Sequence, residues 1–446
     1  MKKWIIPIII VITAVVAFFL LKPKFAEMNY EKAEEYYDTS KFEQAIEKYD
    51  RAIWYNDEQG KYYAGRAMSY DSLENYSKAI EDYDKAIELD STSHQLYLYR
   101  GLTYVETEQW ENAKDDFSKA IQLNADFKPA YYNRGLIELD NEKYEQAVKD
   151  LSEVIRIDST FAEAYFKRGA AYRALDRKED AVDDYSKALE LGMENKSVYQ
   201  QRVEARSDLS DYEGAIDDYT RLIEMSGGNK DLYYQRGYLY FLIENYEKSI
   251  PDFTEVLQDD NNHRDALYYR GHSYAQTNQY RKSAEDFSKV LNMEPENAKV
   301  YLNRGLARMH MGQFEQAKQD LENATQFDPN NEKAHYLLGL TFANMNEQDE
   351  AITAYSKAIE LDSAYKEAFY YRGVTKGVQN KHNEALDDYN RAIELDSTYA
   401  QAYYNRGISK INMNKFDEGC SDFKTALEYG HQDAKEMIDT YCGRHQ

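Results

Sequence analysis

Between Lys128 and Phe161 the apolar and small residues Tyr131, Gly135, Ala147, Leu151 and Val154 fall at helical spacing in two short runs, with the polar Asp140, Asn141 and Glu142 between them. The pattern predicts two amphipathic helices joined by a tight turn. Neither helix buries its apolar face alone, so the unit needs neighbours. They are present: the Arg134-Gly135 step recurs at Arg100-Gly101, Arg168-Gly169, Arg236-Gly237, Arg270-Gly271, Arg304-Gly305, Arg372-Gly373 and Arg406-Gly407, always 34 residues or a multiple of 34 apart. Lys32-Ala33, Arg66-Ala67, Arg202-Val203 and Leu338-Gly339 fill the remaining places. A fixed register of this length overrides ordinary domain counting and reads as an array of twelve hairpins.

The small residue of each step acts as an anchor for the packing. Twelve positions later stands another small residue, as at Ala45, Ala79, Ala113, Ala147, Ala181 and Ala385. Sixteen positions later stands a large one, as at Tyr49, Tyr83, Phe117, Leu151, Tyr185, Phe253 and Tyr389. Small residues that let two helices approach, faced by a large knob, are what interdigitated packing requires. Charge follows the same register. Wherever Arg precedes the anchor, Asp stands fifteen residues after it, as in Arg134 with Asp150, Arg270 with Asp286 and Arg372 with Asp388. The exceptions change together: Leu338 goes with Ala354, and Lys32 with Lys48. An ion pair between the two helices of one repeat is therefore expected, because pairing to the next repeat would leave orphans.

With this period, its Tyr/Phe, Gly, Ala, Tyr/Phe signature and the breaks at Pro295 and Pro329, the chain resembles the tetratricopeptide repeat family over roughly residues 26–433. It departs from the family where the Pro after the second helix is replaced, as at Ser91, Ser159, Asn261, Ser363 and Ser397; Asp90, Asp158, Asp362 and Asp396 precede four of these and keep the turn chemistry. The resemblance implies an all-α, right-handed superhelical solenoid. Its repeats run in steps of 34 from 26–59 to 400–433, and 434–446 is expected to form a capping helix and tail. It also implies that the first helices line a concave groove for peptide segments. The positions three and two before the anchor then supply Tyr132, Asn133, Phe166, Lys167, Tyr234, Gln235, Tyr268, Tyr269, Asn303, Tyr370, Tyr371, Tyr404 and Asn405. Aromatic faces with interspersed amides suit a peptide; the opposing reading is that half of these tyrosines pack internally. Some members grip a C-terminal carboxylate with Lys three before the anchor and Asn one after it. Neither residue stands at its place in any repeat here.

Trp4 to Leu21 is free of charge and is followed by Lys22-Pro23-Lys24. A run of that length is just enough to span a bilayer, so residues 1–25 are expected to be an uncleaved signal anchor rather than a removed signal peptide. Lys2, Lys3 and the terminal amine outweigh Lys22 and Lys24 by one charge, which favours a single-pass membrane protein with its repeats on the extracytoplasmic side.

Composition narrows the partner. The formal net charge is -25, a field that repels phosphate backbones and favours a neutral or basic protein or peptide; nucleic acid is disfavoured. Most of the 43 tyrosines are accounted for as repeat knobs. No phosphate-binding loop, zinc-protease or nucleophile-elbow motif is present, and no catalytic residue, metal or cofactor is assigned. The eight His residues are scattered, although His272 and His335 fall in first helices and could line a groove. Cys420 and Cys442 would lie level if the terminal helix packs antiparallel on the last repeat, either bonded or as two buried thiols. In the sixth repeat Val203 replaces the anchor Gly, Arg206 replaces the usual aromatic, and Ser226-Gly227-Gly228-Asn229 ends the unit. The array is expected to divide near there. Pro251 is expected to bend the second helix of the seventh repeat. Together these features describe a membrane-anchored scaffold for protein interactions. The alternative is a targeting or regulatory subunit of a membrane-associated enzyme or secretion complex.

Overall fold

Tight hairpin turns set the architecture. The computed structural model describes residues 2–443, with side chains at Ile10 and from residue 15 onward. Among the described residues every regular element is an α-helix. The chain forms two compact units that meet in sequence at Leu222 and Ile223. The first holds α1 (Lys2–Asp38), α2 (Phe42–Tyr55), α3 (Gly60–Ser72), α4 (Tyr76–Leu89), α5 (His94–Glu106), α6 (Trp110–Leu123), α7 (Lys128–Asp140), α8 (Tyr144–Ile157), α9 (Ala162–Ala174), α10 (Lys178–Glu190) and α11 (Lys196–Asp208). The boundary falls inside α12 (Tyr212–Ser226), the second helix of the sixth repeat. The second unit continues with α13 (Lys230–Leu242), α14 (Tyr246–Asp259), α15 (Arg264–Gln276), α16 (Tyr280–Met293), α17 (Ala298–His310), α18 (Phe314–Phe327), α19 (Glu332–Asn344), α20 (Gln348–Leu361), α21 (Lys366–Val378), α22 (His382–Leu395), α23 (Ala400–Asn412), α24 (Phe416–Glu428) and α25 (Ala434–Tyr441). Within each unit consecutive helices pack on one another. α14 runs through Pro251 without interruption.

The turn inside each hairpin needs one residue in the left-handed region. Ser40, Glu74, Glu108, Glu142, Asp176, Ser210, Glu244, Asn278, Asn346, Asn380 and Asn414 have φ between 57° and 62°, and Gly312 takes the same place at 71°. In the hairpin of α7 and α8 this lets Glu142 N donate to Leu139 O and Lys143 N to Glu138 O, which satisfies the helix end. The turn between repeats closes differently: Asp90, Asp158, Asp362 and Asp396 accept from the backbone two residues on, at 2.9–3.1 Å. Lys128 and Thr160 also donate to Asp158 and hold its carboxyl down at about 2.

The core is built as the spacing requires. Ala79, Ala113, Ala147, Ala181 and Ala385 are fully buried, as are the knobs Phe117, Leu151, Tyr185, Phe253 and Phe287. A Cβ at Gly101 would sit 2.6 Å from the Phe117 ring, so this close approach excludes any larger residue. Tyr219, in the repeat with the Val203 anchor, is the knob left partly exposed.

The expectation of a membrane anchor over residues 4–21 is corrected. Among the described residues no helix is long and apolar enough to cross a membrane. The physical reason is continuity: the apolar run is the opening of α1, which passes without a break into Lys22, Lys24, Glu27 and Glu31. Its later part packs on the repeats, with Phe18 6.3 Å from Trp54 and 6.4 Å from Tyr55, and Phe25 5.5 Å from Tyr55. The side chains of residues 4–9 and 11–14 lie outside the described residues. The single-pass topology and the extracytoplasmic placement of the repeats fall with the anchor.

Cys420 and Cys442 are joined by a disulfide, with Cα atoms 5.6 Å apart. The bond clamps α25 over α24, where Phe423, Ala426 and Ala434 are buried together.

Two outcomes follow from the turns. Gly312→Val should destabilise the hairpin of α17 and α18 by about 1–2 kcal/mol, since a β-branched residue resists positive φ; hydrogen exchange of the two helices reads the loss. The Asp158 carboxyl is depressed, so its contribution is complete above the ordinary value of about 3.9 and is lost as pH falls through about 2. Lys128→Met should raise its titration midpoint in a carboxyl NMR titration, and an unmoved midpoint would refute the assignment.

Candidate functional site

Arginine placement in the first helices follows from the anchor: the residue before it lies beside the second helix of its own repeat. Arg134 donates from Nε and Nη2 to Asp150 at 2.7 Å each, Arg270 to Asp286 at 2.8 Å each, and Arg372 to Asp388 at 3.0 and 2.6 Å. The same fork joins Arg66 to Asp82, Arg100 to Asp116, Arg168 to Asp184, Arg202 to Asp218, Arg236 to Asp252, Arg304 to Asp320 and Arg406 to Asp422. The aspartates are buried; the Asp150 side chain is 5% exposed. Burial pushes the Asp116 and Asp184 carboxyls up while their arginines pull them down. Hydrogen bonding to Asp150 raises Arg134.

The third nitrogen makes a contact that the sequence reading missed. Nη1 reaches back sixteen residues to the second helix of the preceding repeat, in the first unit from Arg66 to Asp50, Arg100 to Asp84, Arg134 to Ser118, Arg168 to Ser152 and Arg202 to Ser186. In the second unit the acceptors are Thr254 for Arg270, Ser288 for Arg304, Ser356 for Arg372 and Asn390 for Arg406. The signal was a position always occupied by a hydrogen-bonding residue. A second cation also joins some aspartates: Arg206 on Asp218, Arg308 on Asp320, Lys376 on Asp388 and Lys410 on Asp422, at 2.7–2.9 Å. In the Arg134 repeat that place holds Glu138; in the other braced repeats it holds an aromatic, and Arg100 lies between Tyr97 and Tyr104 and Arg168 between Tyr165 and Tyr172.

The residues expected to line a groove are half-buried rather than free. In the first unit Tyr132 meets Phe161 edge-on at 5.1 Å, its hydroxyl pushed up to about 12 by burial, and Asn133 donates to Pro129 O at 2.8 Å. Phe166 leans on the knob Tyr185, with Lys167 beside Glu163. In the second unit Tyr234, Tyr268, Tyr370 and Tyr404 contact the knobs Phe253, Phe287, Tyr389 and Phe423 at 5.9–6.3 Å. Tyr269 stacks on Phe253, and Tyr371 on Tyr355. Asn405 donates to the Tyr370 hydroxyl at 3.0 Å. Gln235 is exposed and Asn303 half-buried. Each tyrosine thus presents one edge to the core and one to solvent. His272 lies between Phe241 and Tyr246, and burial lowers its pKa. His335 instead lines a cavity of about 540 Å³ with Leu338, Phe342 and Ala354.

Comparison with known proteins fits this geometry. Models described as "TPR repeat" match residues 135–176 and 379–411, and models described as "Tetratricopeptide repeat" match 60–93, 94–127, 162–195, 231–263, 265–297, 298–331, 332–365 and 400–429. No curated protein matches the chain. Similar solved structures include MamA (27% identity, 37% of this chain and 96% of that one, TM-score 0.35). Another is YrrB, described as a TPR protein with an unusual peptide-binding site (24%, 41% and 95%, 0.37). Yeast Tom70 is a third (18%, 94% and 96%, 0.36).

Loss of one partner from a buried pair costs about 3–5 kcal/mol. Arg134→Met should cost that much, because the position that could supply a second cation to Asp150 is Glu138, already beside Lys114 and Lys143. Arg372→Met should cost less, since Lys376 still lies 2.9 Å from Asp388. Hydrogen exchange of α7 and α21 in the two variants measures the difference; equal losses would sever the link to the second cation.

Proposed function

Since the chain belongs to the tetratricopeptide repeat family, we propose that it is a protein-interaction scaffold whose first helices take a peptide segment of a partner. The observation that carries the reading is the half-exposed aromatic and amide set on those helices, above all Tyr268, Tyr269 and Gln235, and Tyr370, Tyr371 and Asn405. Aromatic edges supply apolar contact area, and amides supply the donors and acceptors that a peptide backbone needs. Their inner edges already rest on the knobs, so little side-chain freedom is lost on binding. The net charge of -25 favours a neutral or basic partner over an acidic one or a nucleic acid. Whatever reaction the partner performs, these helices position it.

Partners identified by co-purification supply the test. Tyr268→Ala should weaken capture by roughly tenfold or more, the scale of an aromatic hot spot. Tyr269→Phe, which keeps the stacking on Phe253, controls for packing. Capture of a basic partner should also weaken as salt rises. Undiminished capture by Tyr268→Ala, Tyr371→Ala and Asn405→Ala together would overturn the reading.

A further inference from the structure

In the repeat of α19 and α20 the arginine is Leu338 and its aspartate is Ala354, and the residue sixteen before Leu338 is Glu322 in place of the usual small acceptor. All three members of the brace change at once. The aromatic bracket stays: His335 and Phe342 stand at the places that Tyr97 and Tyr104 hold around Arg100. The result is the cavity of about 540 Å³, bounded by Thr325 of α18, His335, Leu338 and Phe342 of α19, and Thr353 and Ala354 of α20. Its size falls in the range of roughly 300–1,000 Å³ that ligand sites occupy. Leu338, Phe342 and Ala354 form an apolar floor, only 7–8% exposed. Spacing of three and four residues puts His335, Leu338 and Phe342 on one face of α19, turned away from Tyr336, which packs on Tyr355 and Tyr371. The cavity is therefore distinct from the surface proposed above.

The rim is charged and the floor is not. Asp349 and Glu350 line the mouth and are exposed, and Glu322 is exposed on the same side of α18 as Thr325. Two cations stand nearby and both are paired: Lys357 is bonded to Glu360 at 2.9 Å, and Lys318, 5.1 Å from the Phe342 ring, to Glu347 at 3.0 Å. A guanidinium entering from a partner would lose its water and find Ala354 where every braced repeat has a carboxylate, an uncompensated cost. An apolar ring meets no such penalty. We propose that this cavity is a second docking site, which takes an aromatic side chain of a partner segment whose neighbouring residues are basic and face Glu322, Asp349 and Glu350.

The chain supplies its own control. Leu338→Arg with Ala354→Asp rebuilds the brace that the other repeats carry, fills the cavity and keeps the fold; unchanged hydrogen exchange of α19 and α20 checks this. Should it fail to fold, Ala354→Met fills the same space without charge. The probe is a set of short capped peptides with a central Trp, Arg or Ala between lysines, and the Trp peptide between glutamates, with binding read by fluorescence anisotropy at low salt. The expected result is that the Lys-Trp-Lys peptide binds the wild type, that the Ala, Arg and Glu-flanked peptides bind roughly tenfold or more weakly, and that the filled variant loses the same factor. Equal binding by the filled variant would overturn the site and leave the scaffold reading intact, as would equal binding of the Arg peptide or none of the Trp peptide. Tyr268→Ala should leave this binding unchanged, so the two sites fail independently.

Discussion

A stack of short helices has no built-in register: two amphipathic hairpins could slide past one another by a turn and still bury apolar area. The forked arginine removes that freedom. Arg134 spends two nitrogens on Asp150 within its own repeat and the third on Ser118 of the repeat before, so three helices meet at one planar group. The bond directions of a guanidinium are rigid, which an ammonium cannot match. A shift of α8 against α7 would leave a buried carboxylate without its cation, a penalty larger than the modest net worth of the pair itself, and a shift of the preceding repeat would break the bond to Ser118. The brace thus acts more on specificity than on stability. Packing follows from it, because the anchor beside the arginine can be small only if the opposite knob is held in line, as Phe117 is against Gly101.

How much of this could be read in the sequence depended on whether a position tolerates exchange. Gly101 and Phe117 face each other too closely for substitution, so the repeat announces itself through residue identity. Arg and Asp were legible for a related reason, since Leu338 and Ala354 change as a pair. The backward contact escaped because Asp50, Ser118, Thr254 and Asn390 share only the ability to accept a hydrogen bond. The hairpin turns are legible in their polar residues, but the left-handed residue in each is not: eleven of them place Ser, Glu, Asp or Asn at positive φ, where glycine would have been the visible signal and stands only at Gly312. The apolar run before Lys22 is read from its length and its freedom from charge. What alters its reading is what it continues into and what Phe18 touches, neither of which is written in the run.

The surface tyrosines show the limit most clearly. At Tyr268 and Tyr370 the same ring leans on a knob and leaves an edge in solvent, so neither description, core or binding surface, is complete. Sequence spacing assigns a residue to a helix face, but these rings sit at the border between faces. The border position is useful for recognition: a ring already restrained by Phe287 or Tyr389 has little motion left to lose when a partner covers it.

Because each repeat contacts chiefly its neighbours, a local change stays local. An array held by a brace in ten of its repeats can do without one elsewhere and keep its fold, provided both charges of the pair leave together. That condition is met at Leu338 and Ala354, and nowhere in the braced repeats does an arginine or an aspartate of the fork remain alone. Removing the pair without enlarging its replacements leaves an apolar hollow open to solvent, and apolar area left in water forgoes the stabilisation that burial would bring. Ile, Met or Phe at position 354 would have filled it. The chain places Ala there, lining the same hollow as the retained rings of His335 and Phe342, so the repeat gives up both the brace and the compensation for its loss. A cost accepted twice at one position is better explained by an occupant that arrives from outside than by the requirements of the fold.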